Sequence, residues 1–190
     1  MRNEIAINRD LVGNLMIYLA TECKPLYHTK LIKLLYLIDE ESTRRNGSPL
    51  TWLSYKAWKL GPVSQEVYYS KNASENRFAG YVRFVHKKDA VLVEPVAVFD
   101  DSEFSDLDLE VMRDVVNVYG KMSSDDLIAI THAENSLWRK TVDENGIRFC
   151  KENNTSDIDI DFSELIDHDG MKKTVFFSAL EGKWLESGIL

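Results

Sequence analysis

Four histidines are the side chains in this sequence best suited to metal binding or acid–base chemistry. No two of them have the paired spacing of zinc ligands; they are His28, His86, His132 and His168. His132, with Asp125 or Glu134 nearby, is the one that an enzyme could use for proton transfer. We instead interpret His132 as a histidine at a helix end that donates a hydrogen bond to the backbone. The sequence therefore predicts a protein that is not an enzyme.

A run of aspartates near residue 160 has the alternation of a calcium-binding loop. Such a loop needs glycine at its sixth position and a bidentate glutamate at its twelfth. Counted from Asp157, these positions hold Phe162 and His168. Ser64 is outside the turn that exposes a serine nucleophile, and no glycine-rich phosphate loop is present. We therefore expect no metal and no cofactor, and interpret the acidic run as the solvated edge of a strand.

The composition is typical of one globular domain. The chain has 190 residues, is 44% hydrophobic and contains four prolines, so it can bury a core without cross-links. Cys23 and Cys150 match no metal or redox spacing, which favours free thiols in a reducing cytoplasm. We find no signal-peptide pattern, and the apolar stretch at residues 11–20 is about half the length of a membrane span. A cytoplasmic protein is expected.

Charge is unevenly distributed along the chain, whose net charge is −8. Residues 1–93 hold fourteen Lys and Arg against nine Asp and Glu, which gives +5. Residues 94–114 hold eight acids and one arginine, and residues 152–169 hold seven acids without Lys or Arg, so each block carries −7. Nucleic-acid binding depends on clustered cations. These acidic blocks suit a basic protein partner better than a phosphate backbone, although a run of charges is usually a solvated face.

The elements that position these residues are mainly helical, and the predicted fold class is α+β with a small antiparallel hairpin or sheet. A first helix begins at Asn8 or Asp10. A second has Thr29 as its N-cap and ends at Gly47. Apolar residues cover most of its circumference, so we predict that it is the core helix.

An aromatic-rich stretch follows, in which Trp52, Tyr55 and Trp58 are spaced by three residues. That spacing predicts one face of a helix. Gly61 suits the end of this helix and Pro62 suits the first position of the next. The prediction is a corner between two helices.

The rest of the chain alternates between clear and weak patterns. Residues 80–99 predict a β-hairpin that turns at residues 87–90. A helix ending at Gly120 follows, and another runs from Ser123 or Ser124 through residue 142. The first has a predicted apolar stripe of Leu107, Val111, Val115 and Val118. Beyond residue 150 the patterns DIDIDF and MKKTVFF suit strands, and FSALEGKWLES suits a closing helix.

A DNA-binding helix-turn-helix is the alternative interpretation of residues 11–39, which hold two helices around a short turn. Within this stretch the second helix offers Lys30 and Lys33 as its only cations and is otherwise too apolar to lie in a groove. We predict that it is buried. A transcriptional regulator of its own operon is the second hypothesis. Because the second helix is predicted to be buried, we do not expect DNA binding.

The order of several motifs resembles the Panacea domain family of SocA-like antitoxins, which includes phage-associated GepA-like proteins. The shared parts are a KLLYL helix, an aromatic approach, GPV with VY after it, and a late TH followed by tryptophan. The resemblance covers about residues 8–150. It implies a Panacea domain at residues 1–150, with residues 151–190 as an extension packed on the same domain. Leu137 stands where relatives often have proline.

The resemblance implies an antitoxin of a bacterial, phage or prophage toxin–antitoxin pair that binds and neutralises a toxin protein. The toxin is expected from an adjacent gene, some relatives deliver it to a protease, and no catalytic residues carry over. Aromatic and arginine anchors dominate such interfaces, so the candidate partner contacts are Trp52, Tyr55, Tyr69 and Arg77. The matching structural residues are Trp58, Gly61, Pro62, Val63, Tyr68, Thr131, His132 and Trp138.

Overall fold

The fold is mainly helical with two small antiparallel sheets, so the predicted α+β class is confirmed. The computed structural model describes residues 7–188. Its helices are α1 (Arg9–Glu22), α2 (His28–Asn46), α3 (Gln65–Tyr69), α4 (Asp106–Tyr119), α5 (Ser124–Thr131), α6 (Leu137–Glu144), a 3-10 helix (Phe162–Ile166) and α7 (Gly170–Glu186). Its strands are β1 (Leu26–Tyr27), β2 (Lys56–Trp58), β3 (Gly61–Val63), β4 (Val82–His86) and β5 (Val91–Pro95).

Helices α1 and α2 supply much of the core. The Asn8 side chain accepts hydrogen bonds from the first turn of α1, so Asn8 is the N-cap. Helix α2 is buried along most of its length and ends at Gly47, whose φ of 85° is left-handed, as predicted. Its N-cap is Tyr27, because β1 leads directly into the helix, and the prediction of Thr29 is wrong.

The larger sheet has the order β1-β5-β4, and all its strands are antiparallel. The predicted hairpin is confirmed as β4 and β5, and its turn is closed by the Lys87 N–H, which donates to the Ala90 carbonyl over 2.8 Å. Strand β1 adds to the other edge of β5, where Leu26 lies opposite Val93. Both are buried, so this sheet covers one side of the helical core.

The aromatic stretch forms a second hairpin, β2–β3, and not the predicted corner between two helices. Trp58 lies opposite Gly61 across a two-residue turn, and Trp52 and Tyr55 precede β2 in non-helical backbone. Pro62 lies opposite Ala57, whose N–H donates to the Ile158 carbonyl on the outer side of β2. Pro62 therefore removes no ladder hydrogen bond from this edge strand.

Helices α4 to α6 begin at serine caps. The pairs Ser105 with Asp108 and Ser123 with Asp126 form capping boxes at α4 and α5. The predicted stripe on α4 is only half right, because Val111 and Val115 are buried with Met112 whereas Leu107 and Val118 are exposed. The long helix predicted after residue 123 is two helices, since Ser136 caps α6.

The chain beyond residue 150 lies against the β2–β3 hairpin. The predicted strand DIDIDF is a single bridge between Lys56 and Asp159, flanked by backbone hydrogen bonds to β2. The predicted strand MKKTVFF is instead the first half of α7, because the Asp169 side chain accepts from two N–H groups of that helix. The closing helix FSALEGKWLES is confirmed as its second half.

Candidate functional site

The residues that the family resemblance selected as structural lie around the β2–β3 hairpin. With Lys33 from α2 they form what we name the hairpin cluster: Lys33, Trp58, Gly61, Pro62, Val63, Tyr68, Thr131, His132 and Trp138. Helices α2, α3, α5 and α6 each contribute to it. The cluster is therefore the place where distant parts of the chain meet.

Lys33 joins α2 to the β2–β3 hairpin. Its ammonium donates to the Pro62 carbonyl over 2.8 Å, and its side chain is 1% exposed. Burial lowers the pKa of Lys33 to about 7, because the charged form loses its hydration. Sequence reasoning did not select Lys33 for this role, although a lysine inside the apolar run of a core helix was the available signal.

Gly61 brings the hairpin close to α2 and α5. Its φ is 97°, and a Cβ there would lie 2.7 Å from the Thr131 Oγ1 and 2.8 Å from the Lys33 Nζ. The left-handed backbone of Gly61 therefore serves a strand and not the helix end that the sequence predicted.

Trp138 and His132 close the cluster from the α5–α6 side. The Trp138 indole N–H donates to the Trp58 carbonyl over 2.9 Å, and the Trp58 ring meets Tyr68 edge-on at 4.9 Å. The rings of Trp138 and His132 are stacked, with centroids 3.8 Å apart and planes 7° from parallel. These contacts attach α3, α5 and α6 to one hairpin.

His132 lies at the end of α5, as predicted. Among the described residues, its ring stacks on Trp138 and does not donate the predicted hydrogen bond to the backbone. Within residues 7–188 its buried Nε2 has no hydrogen-bond partner, and no bond joins the ring to Asp125 or Glu134. Burial, reinforced by the charges of Lys33 and Arg139, lowers the pKa of His132 to about 4. The imidazole is therefore neutral at neutral pH.

A second buried network holds the chain before β2 onto α2. The Asp39 carboxylate accepts from the Thr51 N–H at 2.7 Å, the Thr51 hydroxyl at 2.5 Å and the Tyr55 hydroxyl at 2.8 Å. Burial raises the pKa of Asp39 to about 6, although these donors oppose the shift. Trp52 lies inside this loop with a φ of 56°, which is uncommon for a non-glycine residue.

The four candidate partner contacts do not form one surface. Trp52 is half-buried with its ring 5.3 Å from Phe176 of α7, and Tyr55 is 1% exposed. Tyr69, the last residue of α3, and Arg77 are exposed, and Arg77 pairs with Glu66 of α3 at 3.3 Å. Tyr55 was selected for its expected exposure, so its burial removes it from the candidates.

Several other groups bear on the remaining hypotheses. Lys30 and Lys33 are both buried, and Lys30 donates to the Gly120 carbonyl over 2.7 Å, so neither is available to a DNA groove. Among the described residues no cluster of three His, Cys, Asp or Glu side chains could hold a metal ion. In the same part of the chain, every helix is too short or too polar to cross a bilayer.

Comparison with known proteins identifies the family. The family described as "Antitoxin SocA-like, Panacea domain" matches residues 31–139. The protein named Antitoxin SocA from Caulobacter vibrioides (strain NA1000 / CB15N) is 29% identical over 135 residues, which cover 70% of this chain and 69% of that protein. No solved structure matches the chain. The family match spans more than half of the sequence and contains the whole hairpin cluster, so the chain belongs to the Panacea domain family of SocA-like antitoxins.

Proposed function

We propose that this protein is an antitoxin that neutralises a toxin protein by direct binding. One observation carries the proposal: the family match at residues 31–139 includes every residue of the hairpin cluster. Two buried donors of that cluster, the Lys33 ammonium and the Trp138 indole N–H, bond to its own backbone. These bonds support a rigid binding framework, because a satisfied buried hydrogen bond favours one conformation.

The proposed partner is a basic toxin encoded by an adjacent gene and present in the same cytoplasm. The net charge of −8 favours association with a basic protein and speeds their encounter. Tyr69 and Arg77 are proposed contacts, because they are exposed anchors of the types that dominate interfaces. Trp52 is a further proposed contact through its exposed part.

Co-expression with the product of the adjacent open reading frame tests this function. We expect the full chain to restore growth that this product arrests, and to retain it during affinity purification. The half-life of the product in the same cells measures protease delivery, since a shortened half-life indicates an adaptor. If the full chain neither restores growth nor co-purifies with this product, the proposal is wrong. A gel shift with the chain's own promoter tests the regulator hypothesis, for which we expect no binding.

We also propose that residues 151–190 form an extension of the same domain. Support comes from the Ala57 N–H, which donates to the Ile158 carbonyl over 3.0 Å, and from the Trp58 indole N–H, which donates to the Ser156 carbonyl over 3.1 Å. Phe162 is also buried against Tyr36 and Tyr55.

A further inference from the structure

Helix α7 exposes most of its large apolar side chains. Phe176 is the only buried one that it contributes to the core, where its ring meets Trp52. Five others are exposed, from 36% to 79% of their surface: Met171, Val175, Phe177, Trp184 and Leu185. Exposed apolar side chains concentrated on one element mark a surface that meets another molecule.

The exposed face has the spacing of a helix–helix interface. Met171, Val175, Ser178, Gly182 and Leu185 follow one another at intervals of four, three, four and three residues, and we name this set the α7 seam. Intervals of this kind place side chains along the line where a second helix packs. Phe177 and Trp184 are seven residues apart and lie between the seam and the buried side of the helix, which Phe176 marks.

Gly182 provides an independent reason to expect a close neighbour. A Cβ at this position would meet nothing within 4 Å, so the protein's own packing does not require glycine. Alanine would favour the helix more strongly. Glycine in the middle of an exposed helical face instead allows another backbone to approach closely.

The charges around α7 indicate the chemistry of that neighbour. Each lysine of α7 is in an ion pair within the chain: Lys172 with Asp169, Lys173 with Asp167 and Lys183 with Glu186. Among residues 7–188, Glu181 is the one charged side chain of α7 outside these pairs. Glu181 lies between Ser178 and Gly182 in the sequence, beside the seam. Once the ion pairs are formed, Glu181 is the charge of α7 left beside the seam, and it favours a cationic side chain on the partner.

We propose that the α7 seam is the seat of one helix of the toxin, an apolar stripe bordered by Lys or Arg. This inference rests on the proposed antitoxin function. Helix α7 lies beyond the family match at residues 31–139. A second copy of this chain fits less well, because it would bring Glu181 of both copies to the same interface.

Two matched leucine substitutions test the seam. Leu185 on α7 and Leu107 on α4 are 61% and 58% exposed, so Leu185→Glu and Leu107→Glu each replace an exposed leucine and add one negative charge. The probe is the product of the adjacent open reading frame, retained on the tagged full chain. We expect Leu185→Glu to retain at least about tenfold less of it, a change equivalent to 1.4 kcal/mol. Leu107→Glu should retain as much as the parent chain.

Gly182→Ala gives a readout that a stability effect cannot imitate. We expect its Tm to rise and its retention of the same product to fall, because the added methyl group stiffens the helix and obstructs the approaching backbone. Glu181→Lys should also lower retention, and more strongly at low salt than at high salt.

Distinct outcomes separate this inference from the proposed function. If the parent chain restores growth and Leu185→Glu does so equally well, the seam is not the toxin's seat, whereas the antitoxin function stands. If the chain alone sediments as a dimer that Leu185→Glu dissociates, the seam binds a second copy and the inference is overturned. If the parent neither restores growth nor retains the product, both fail together.

Discussion

At the scale of single residues, Gly61 carries two constraints at once. Its φ of 97° strains any L side chain, and the space that a Cβ needs is filled by Thr131 and Lys33. The second constraint is the more specific, because both neighbouring atoms are polar groups in the buried cluster that cannot move without leaving the Pro62 carbonyl or the end of α5. The close approach of the hairpin to α2 therefore depends on one missing methyl group.

Comparing Gly61→Ala with Gly146→Ala separates these constraints. Gly146 has a φ of 59° and open space around its Cβ position. We expect Gly146→Ala to lower the free energy of unfolding by about 1–2 kcal/mol through backbone strain alone. Gly61→Ala should lower it by about 2–5 kcal/mol, since overpacking adds to the strain. Urea unfolding of both variants measures the difference, and equal losses would show that the hairpin can move away from α2.

At the scale of elements, the sequence predicted those helices and strands whose residues show a periodic apolar pattern within the segment itself. The apolar pattern of α2 and the alternation in β4 and β5 are visible within their own segments, and both elements were predicted correctly. The hairpin β2–β3 was missed because three-residue strands show no period, and the spacing of Trp52, Tyr55 and Trp58 suits a helix equally well. Its geometry is decided by distant groups, as when the Lys33 ammonium donates to the Pro62 carbonyl.

The same reasoning explains why the site was predicted by resemblance and not by pattern. Gly61, His132 and Trp138 were selected from their order in the sequence, but their contacts join α5, α6 and a hairpin that are far apart in the chain. The α7 seam was missed because residues 171–177 were interpreted as a strand, although the 4-3 spacing continues through Leu185.

Two truncations test how much the stability of the domain depends on α7 and on the segment before it. Among the described residues, ending the chain after residue 169 removes one buried side chain, Phe176, whose burial is worth about 1.5–3 kcal/mol. We expect this form to unfold cooperatively with a lower Tm. Ending it after residue 150 also removes Phe162 and leaves the outer edge of β2 without its backbone partners. That form should aggregate or unfold, as gel filtration and circular dichroism will show; a stable form would refute the single domain.

At the scale of the whole molecule, buried ionisable groups make stability depend on pH in opposite directions. The pKa of His28 is lowered to about 4, chiefly by burial, as is that of His132. Their unfolded forms protonate first, so this stability is present above pH 6.5 and is lost as the pH falls through about 4. Asp39 acts oppositely, because its raised pKa adds stability below pH 3.8 that is lost as the pH rises through about 6.

Lys33 gives the clearest pH prediction, because its pKa falls from 10.5 to about 7 on folding. The unfolded chain holds this proton between those values, so stability is greatest above pH 10.5 and is lost as the pH falls through about 7. We expect the free energy of unfolding to rise by on the order of 1–2 kcal/mol from pH 7 to about 8.5, since the slope cannot exceed about 1.4 kcal/mol per pH unit. Lys33→Met should flatten this rise, whereas exposed Lys88→Met, which changes net charge alone, should preserve it. Urea unfolding from pH 7 to about 8.5 measures this dependence. If the free energies of unfolding of the parent and Lys33→Met changed in parallel, the Lys33 ammonium would keep its hydration. The hairpin would then be held by a hydrated cation instead of a buried one.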